Sequence, residues 1–315
     1  MIKLFALQTT RDLGARVAAA LGCELAAHEE REFDDGEHKV RPLGEVRGAD
    51  IYILQSLHGE PRCTANDKLI RLLFFASALR DHGAARIMAV LPYLAYARKD
   101  RRTQPFDPVN SRYVAQLIEA AGIDAVVALE VHNVAAFDNG FRVPSVHVGA
   151  DAVLAPRVAQ LLEDEDTVVV ASPDPGGIKR AQLFRETLVR ALGRDCGSAY
   201  LEKRRVGDLV SGTLLAGEVR GATVVLVDDL ISTGTTLARA ARTCLEHGAR
   251  EVIACAAHGL FAAGAEQPLL ASGLTTVLIT DSIAPTRMPP ALASRVHIVS
   301  AAPLLAATIK SLHRQ

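Results

Sequence analysis

Tryptophan is absent from this chain and aromatic residues make up only 4% of it, so burial falls to Ala, Val, Leu and Ile. It has no CxxC pair. Cys23, Cys63, Cys196, Cys244 and Cys255 are odd in number and scattered, which argues against both a disulfide framework and a zinc site and points to a reducing cytoplasm. An excess of either charge is missing too: 35 Lys plus Arg against 36 Asp plus Glu leave a net charge of -1. Nothing global therefore draws the chain to nucleic acid or an anionic membrane, and any anion binding must be local. No apolar run approaches the roughly 20 residues that span a bilayer. The opening run of residues 1–7 meets Thr9, Thr10, Arg11 and Asp12 too soon for a signal-peptide core and reads as a first buried strand.

What is present suits a soluble globular protein: 315 residues, 49% of them hydrophobic and 23% charged, enough for about two domains. Short Val/Ile/Leu runs at 50–57, 86–91, 125–131, 167–171, 223–227 and 251–256 alternate with longer stretches of helical period. That alternation predicts an α/β fold with parallel strands, too continuously apolar to leave one face in water. Gly83, Gly122 and Gly248 follow the helical stretches as left-handed caps. Residues 29–42 instead alternate charged side chains with Phe33, His38 and Val40, as in a short antiparallel flap. The order strand, loop, helix, glycine, strand occurs over 86–131 and again over 223–256, which suggests two similar domains. The joint is expected near 141–148, where Pro144 interrupts the pattern. The expected domains are 1–143 and 144–301, with the last helix, within 302–315, returning to the first.

The sharpest local signal is the strand 223–227 followed by Asp228, Asp229, Leu230, Ile231, Ser232, Thr233, Gly234, Thr235 and Thr236, then a helix through Glu246. Backbone amides and hydroxyls from Ser232 to Thr236 suit a phosphate dianion at the positive end of a helix. Asp228 and Asp229 suit ribose hydroxyls, directly or through hydrated magnesium. The alternative is plain helix capping, which explains one acid but not two followed by a run of small polar residues.

This segment resembles the phosphoribosyl pyrophosphate loop of type I phosphoribosyltransferases, and nearly the whole chain resembles ribose-phosphate pyrophosphokinases. Phe33-Asp34-Asp35-Gly36-Glu37 is similar to the flap that in the family contacts the adenine of ATP from a neighbouring subunit. The run from Pro92 to Arg102, with Tyr93, Tyr96, Arg98, Lys99, Asp100 and Arg101, is similar to the start of the mobile loop over the triphosphate. Ser172-Pro173-Asp174-Pro175-Gly176-Gly177 and Glu202-Lys203-Arg204-Arg205 resemble two further family motifs, the second with Glu202 where the family has Asp. The resemblance implies two phosphoribosyltransferase-like domains, each a mainly parallel sheet flanked by helices. It also implies transfer of the pyrophosphoryl group of ATP to the C1 hydroxyl of ribose 5-phosphate.

The roles it implies are Lys203, Arg205 and Arg98 in catalysis, and Phe33, Asp35, Glu37, Arg98, Lys99 and Asp100 at ATP. Asp174, Asp228, Asp229, Ser232, Thr233, Gly234, Thr235 and Thr236 would meet ribose 5-phosphate, and His132 and Asp174 would hold Mg2+. A homodimer or homohexamer is implied by the shared flap, with no nucleic-acid or membrane partner. Ser232 and Thr235 depart from the commonest family loop, which has a carboxylate and a glycine there, so altered ribose contacts are expected. Two other readings stay open: a phosphoribosyltransferase that consumes the product, and a silent subunit that regulates an active partner.

Overall fold

The computed structural model describes residues 2–163, 167–206 and 209–313, and the side chains of 203–213 lie outside that description. The chain divides into two compact units, residues 1–149 with 302–315, and residues 150–301.

The first unit contains β1 (Ile2–Ala6), α1 (Arg11–Leu21), β2 (His28–Glu32), β3 (His38–Pro42), β4 (Asp50–Leu54), α2 (Ala65–Asp81), β5 (Arg86–Leu91), α3 (Asn110–Ala120), β6 (Ala125–Leu129), α4 (Val134–Gly140) and β7 (Ser145–Val148). Its sheet runs β1-β4-β5-β6-β7 with every pairing parallel. β6 is buried along its whole length and β5 along all but its first residue, because β6 carries no polar side chain and β5 only Arg86 at its start. β2 and β3 form a separate antiparallel hairpin, as the alternation over 29–42 predicts. Gly83 and Gly122 follow α2 and α3 with φ near +83°, the left-handed caps read from the sequence.

Two strands end earlier than their apolar runs. The run 50–57 stops pairing as a strand at Leu54, and the next amides find other acceptors: Gln55 N–H donates to Val90 O at 3.0 Å and Ser56 N–H to Thr10 Oγ1 at 2.9 Å. β6 ends at Leu129 because Glu130 adopts φ +42°, outside the extended region. Residues 145–148, within the stretch expected to open the second domain, instead form β7, which pairs with β6 in the first sheet.

The second unit contains α5 (Asp151–Ala159), β8 (Val168–Ser172), α6 (Ile178–Leu192), β9 (Gly197–Val206), β10 (Leu209–Ala216), β11 (Thr223–Ile231), α7 (Thr235–Glu246), β12 (Glu251–Gly259), α8 (Glu266–Leu270), β13 (Thr276–Thr280) and β14 (Val296–Val299). Its sheet runs β10-β9-β8-β11-β12-β13-β14, parallel except for β10 on β9. α9 (Ala302–His313) belongs to the first unit, where Lys310 donates to Ala20 O at the end of α1 and His313 meets Asp50 at the start of β4, 2.9 Å away. No helix among the described residues is long and apolar enough to cross a membrane.

With so few aromatics, those in the first core matter individually. Phe75 on α2 is fully buried and meets Phe5 of β1 edge to face, with centroids 5.1 Å apart. Phe75→Ala should cost about 3–5 kcal/mol of stability, seen as a lower urea midpoint for the transition of the first unit. A loss below about 0.5 kcal/mol, the scale of an ordinary surface change, would contradict this packing.

Candidate active site

β11 pairs with β8 on one side and β12 on the other, and residues 223–227 are all buried. The pairing with β12 continues to Ile231, four residues beyond the apolar run, so Asp228 and Asp229 are strand residues instead of the start of a turn. Asp229 is 5% exposed. The Asp228 carboxylate accepts the Asp229 N–H at 2.8 Å. Burial, and next the neighbouring Asp229 carboxyl, push Asp228 up to about 8, while the Arg180 charge pulls the other way. Two carboxyls this close in a poorly solvated place do not both ionise without help.

Beyond Ile231 the chain is held from one side by the segment that follows β12. Leu260 and Phe261 donate to Ile231 O at 3.0 and 3.1 Å, and Ala262 donates to Ser232 O at 3.0 Å. Gly234 sits at φ +72°, and a Cβ there would lie 2.6 Å from Leu269 Cγ, so backbone conformation and space both demand glycine. Gly234 is also the N-cap of α7 and has no side chain to cap with, so conventional capping does not account for the polar run. Thr233 and Thr235 are exposed, their hydroxyls 3.0 Å apart. Ser232, Thr233, Gly234, Thr235 and Thr236 thus bring small polar groups and helix-start amides together directly after the acid pair.

Asp174 follows β8 and accepts the Gly177 N–H through Oδ1 at 3.2 Å, capping the 3-10 turn Pro175–Gly177. One oxygen of Asp174 thus serves as a cap. Two arginines that the motifs did not single out stand beside these acids. Arg180 on α6 is the one whose charge favours ionised Asp228. Arg239 on α7 has a buried Nε with no hydrogen-bond partner; burial pushes its pKa down and the Asp174 charge pushes it up. The signal was positional, since each lies within the first turn or so of the helix that follows a site loop.

In the first unit the flap is a tight hairpin turn: Phe33 N–H donates to Glu37 O at 2.8 Å and Glu37 N–H to Asp35 Oδ1 at 3.1 Å. Phe33, Asp35 and Glu37 are all exposed, with the Arg31 guanidinium 5.0 Å from the Phe33 ring centroid. After β5, Tyr96 takes φ +62° and Arg98 is exposed, whereas Lys99 is tied to Asp107. Asp107 also accepts from the Thr103 and Gln104 amides at 3.0 and 3.1 Å, and these bonds, led by that from Lys99, hold its carboxyl well below the usual range. Asp100 accepts from Asn133 Nδ2 at 2.7 Å, linking this loop to the residue after His132. His132 is exposed and lies on a loop, not at a strand end, because β6 has already stopped at Leu129.

Lys203 and Arg205 lie on β9, opposite Thr213 and Val210 of β10, and their side chains are outside the described residues. Among the described residues no three or more His, Cys, Asp or Glu side chains gather as a metal cage, so His132 and Asp174 are not brought into one. The Asp228–Asp229 pair suits a divalent cation better: it offers hard oxygen donors and an excess of negative charge. Magnesium is commonly held by one or two carboxylates together with substrate phosphates.

The N-terminal domain of ribose phosphate pyrophosphokinase matches residues 2–122, and the phosphoribosyl transferase domain matches residues 153–281. A ribose-phosphate pyrophosphokinase of Caldanaerobacter subterraneus subsp. tengcongensis is 37% identical over 99% of this chain and 95% of its own. One from Fusobacterium nucleatum is 36% identical over 90% of this chain and 86% of its own. The crystal structure of phosphoribosylpyrophosphate synthetase from Mycobacterium smegmatis superimposes with a TM-score of 0.88 at 33% identity, covering 99% of each chain.

The raised Asp228 carboxyl gives a signed prediction. The native protein keeps a proton that the unfolded chain has lost between the ordinary value of 3.8 and about 8, so in that window stability falls as pH rises. In metal-free protein, Asp228→Asn should raise the melting temperature relative to the parent at pH 8, with the gain shrinking toward pH 4. A gain that grows as pH falls would contradict the assignment.

Proposed function

The chain belongs to the ribose-phosphate pyrophosphokinase family, whose members transfer diphosphate groups, and we propose that its two units act as the two domains of that reaction. ATP is the donor and ribose 5-phosphate the acceptor. The oxygen of the C1 hydroxyl attacks the β-phosphorus of ATP roughly in line, the bond to the α-phosphate oxygen breaks, AMP leaves, and the hydroxyl proton is released. The observation that carries the reading is the acid pair of half-buried Asp228 and buried Asp229 running directly into a glycine-capped helix start. Acids for ribose hydroxyls and amides for a phosphate stand in the order in which a sugar phosphate presents those groups.

In this reading Ser232, Thr233, Gly234, Thr235 and Thr236 hold the 5-phosphate, and Asp174, Asp228 and Asp229 orient the ribose. Phe33, Asp35 and Glu37 of the flap meet the adenine of an ATP bound to a second copy, so the active form is a homo-oligomer. Arg98, Lys99 and Asp100 serve the triphosphate; Lys99 must first exchange its Asp107 partner, a half-exposed pair at the surface. Lys203 and Arg205, two residues apart on β9, neutralise charge on the transferred group. Asp228 and Asp229 would hold Mg2+ in the second unit, with Asp174 as a further contact, and His132 would serve as a Mg2+ contact of the first unit; when bound, the ion would neutralise phosphate charge and polarise the phosphoryl oxygens. The protein groups contribute position and charge, with no covalent intermediate on the chain. The cytoplasm supplies both substrates and is the proposed location.

Purified protein given ATP, magnesium and ribose 5-phosphate should form AMP and the pyrophosphorylated sugar in equal amounts. AMP-free release of pyrophosphate that requires a nucleobase would favour the phosphoribosyltransferase reading, and inactivity restored only by an added family member would favour a regulatory subunit. Lys203→Ala should lower kcat by roughly 100-fold or more, the scale of a lost transition-state contact, and near-parental turnover in that variant would remove Lys203 from the mechanism.

A further inference from the structure

Arg239 does not behave like the other exposed-side residues of α7. The helix buries Leu237, Ala238, Ala240, Ala241 and Cys244, and leaves Thr235, Arg242 and Glu246 exposed. Arg239 lies four residues after Thr235 and three after Thr236, on the side of α7 that carries them. Helical side chains lean toward the amino terminus, so a long side chain at this position covers the first turn, where the site loop ends. Its Nε is nevertheless shielded from solvent and has no hydrogen-bond partner. The acidic group whose charge it feels is Asp174, yet no ion pair joins the two among the described contacts. A buried guanidinium donor left unsatisfied is costly, and that cost disappears when an acceptor arrives.

The loop that it overhangs has no cation of its own. Ser232, Thr233, Gly234, Thr235 and Thr236 offer amides and hydroxyls only; of the charged neighbours Asp174, Asp228 and Asp229 are acidic, and the Arg180 charge already serves Asp228. A phosphate monoester carries between one and two negative charges near neutral pH, and acids nearby raise the cost of bringing it in. The guanidinium is always charged, and its planar set of donors matches phosphate oxygens two at a time.

We propose that Arg239 is a direct ligand of the phosphate group of the sugar phosphate bound at the start of α7, and thereby sets the preference for phosphorylated over unphosphorylated sugar. This rests on the reading of that loop as the ribose 5-phosphate site, and goes beyond it by assigning the cation that answers the phosphate charge. The acceptor is a phosphate monoester. The rival role, a structural counter-charge to Asp174, is separated by the following test.

Arg239→Met, which keeps the aliphatic bulk and removes the donors, and Arg239→Lys, which keeps the charge without the planar fork, are compared with the parent as full-length proteins. Ribose 5-phosphate and ribose are titrated calorimetrically with no nucleotide present, and KM for each substrate is measured in turnover. Arg239→Met should weaken ribose 5-phosphate binding roughly 10- to 100-fold, the range for a lost charged hydrogen bond. Its affinity for ribose and KM for ATP should stay within about twofold of the parent, inside the spread of ordinary surface changes, and Arg239→Lys should recover part of the loss. Unchanged ribose 5-phosphate affinity in Arg239→Met overturns the proposal. So does an equal loss toward both substrates with a lower melting temperature, which is the structural outcome, and so does a parent protein that does not bind ribose 5-phosphate. A parent that binds the sugar phosphate but never forms AMP refutes the proposed reaction while the titrations still decide Arg239.

Discussion

The second unit is organised around two adjacent carboxyls at the inner end of a central strand. Asp228 and Asp229 share a place where water solvates them poorly, so their repulsion is weakly screened. β11 pairs with β12 at Asp228 and again at Leu230 and Ile231, which keeps the backbone around both acids in the strand. The Arg180 charge offsets part of this repulsion, and burial with the Asp229 carboxyl still leaves the Asp228 pKa raised to about 8. The arrangement is unfavourable for an empty protein and favourable for one that receives a cation or sugar hydroxyls, a separation between stability and function common at active sites.

The same tension appears in the backbone. Tyr96, Glu130 and Phe261 have positive φ without being glycine, and each follows the carboxyl end of a parallel strand: β5, β6 and β12. Such conformations persist where the surroundings over-determine them. The surroundings here include Asp100 bonded to Asn133 in the first unit, and the Leu260, Phe261 and Ala262 amides bonded to the β11 loop in the second. Ligand-binding loops at the carboxyl ends of strands are the general expectation for open α/β sheets, and the strain marks the same ends independently of any motif.

Apolar runs announced which segments would be strands and said little about where they would stop. The run 50–57 is apolar beyond the ladder, because Gln55 and Ser56 leave it for Val90 and the Thr10 hydroxyl; β11 continues past its apolar run, because its partner β12 continues beside it. Strand ends are set by neighbours, which composition does not contain. Arg180 and Arg239 are not legible as site residues in the sequence for a related reason. An arginine on a helix reads as a solvated residue until the fold brings an acid to face it.

From the residues alone came the α/β class, the alternation of strands and helices, the flap, and the order of acids, hydroxyls and glycine after β11, because these are local: period, turn chemistry and spacing along the chain. Tertiary structure decided that β7 completes the first sheet, that His132 lies on a loop, that burial and the Asp229 carboxyl raise the Asp228 pKa, and that the Arg239 Nε is buried without a partner. Those facts depend on dielectric surroundings and on partners distant in sequence, and both come into being only when the chain has packed.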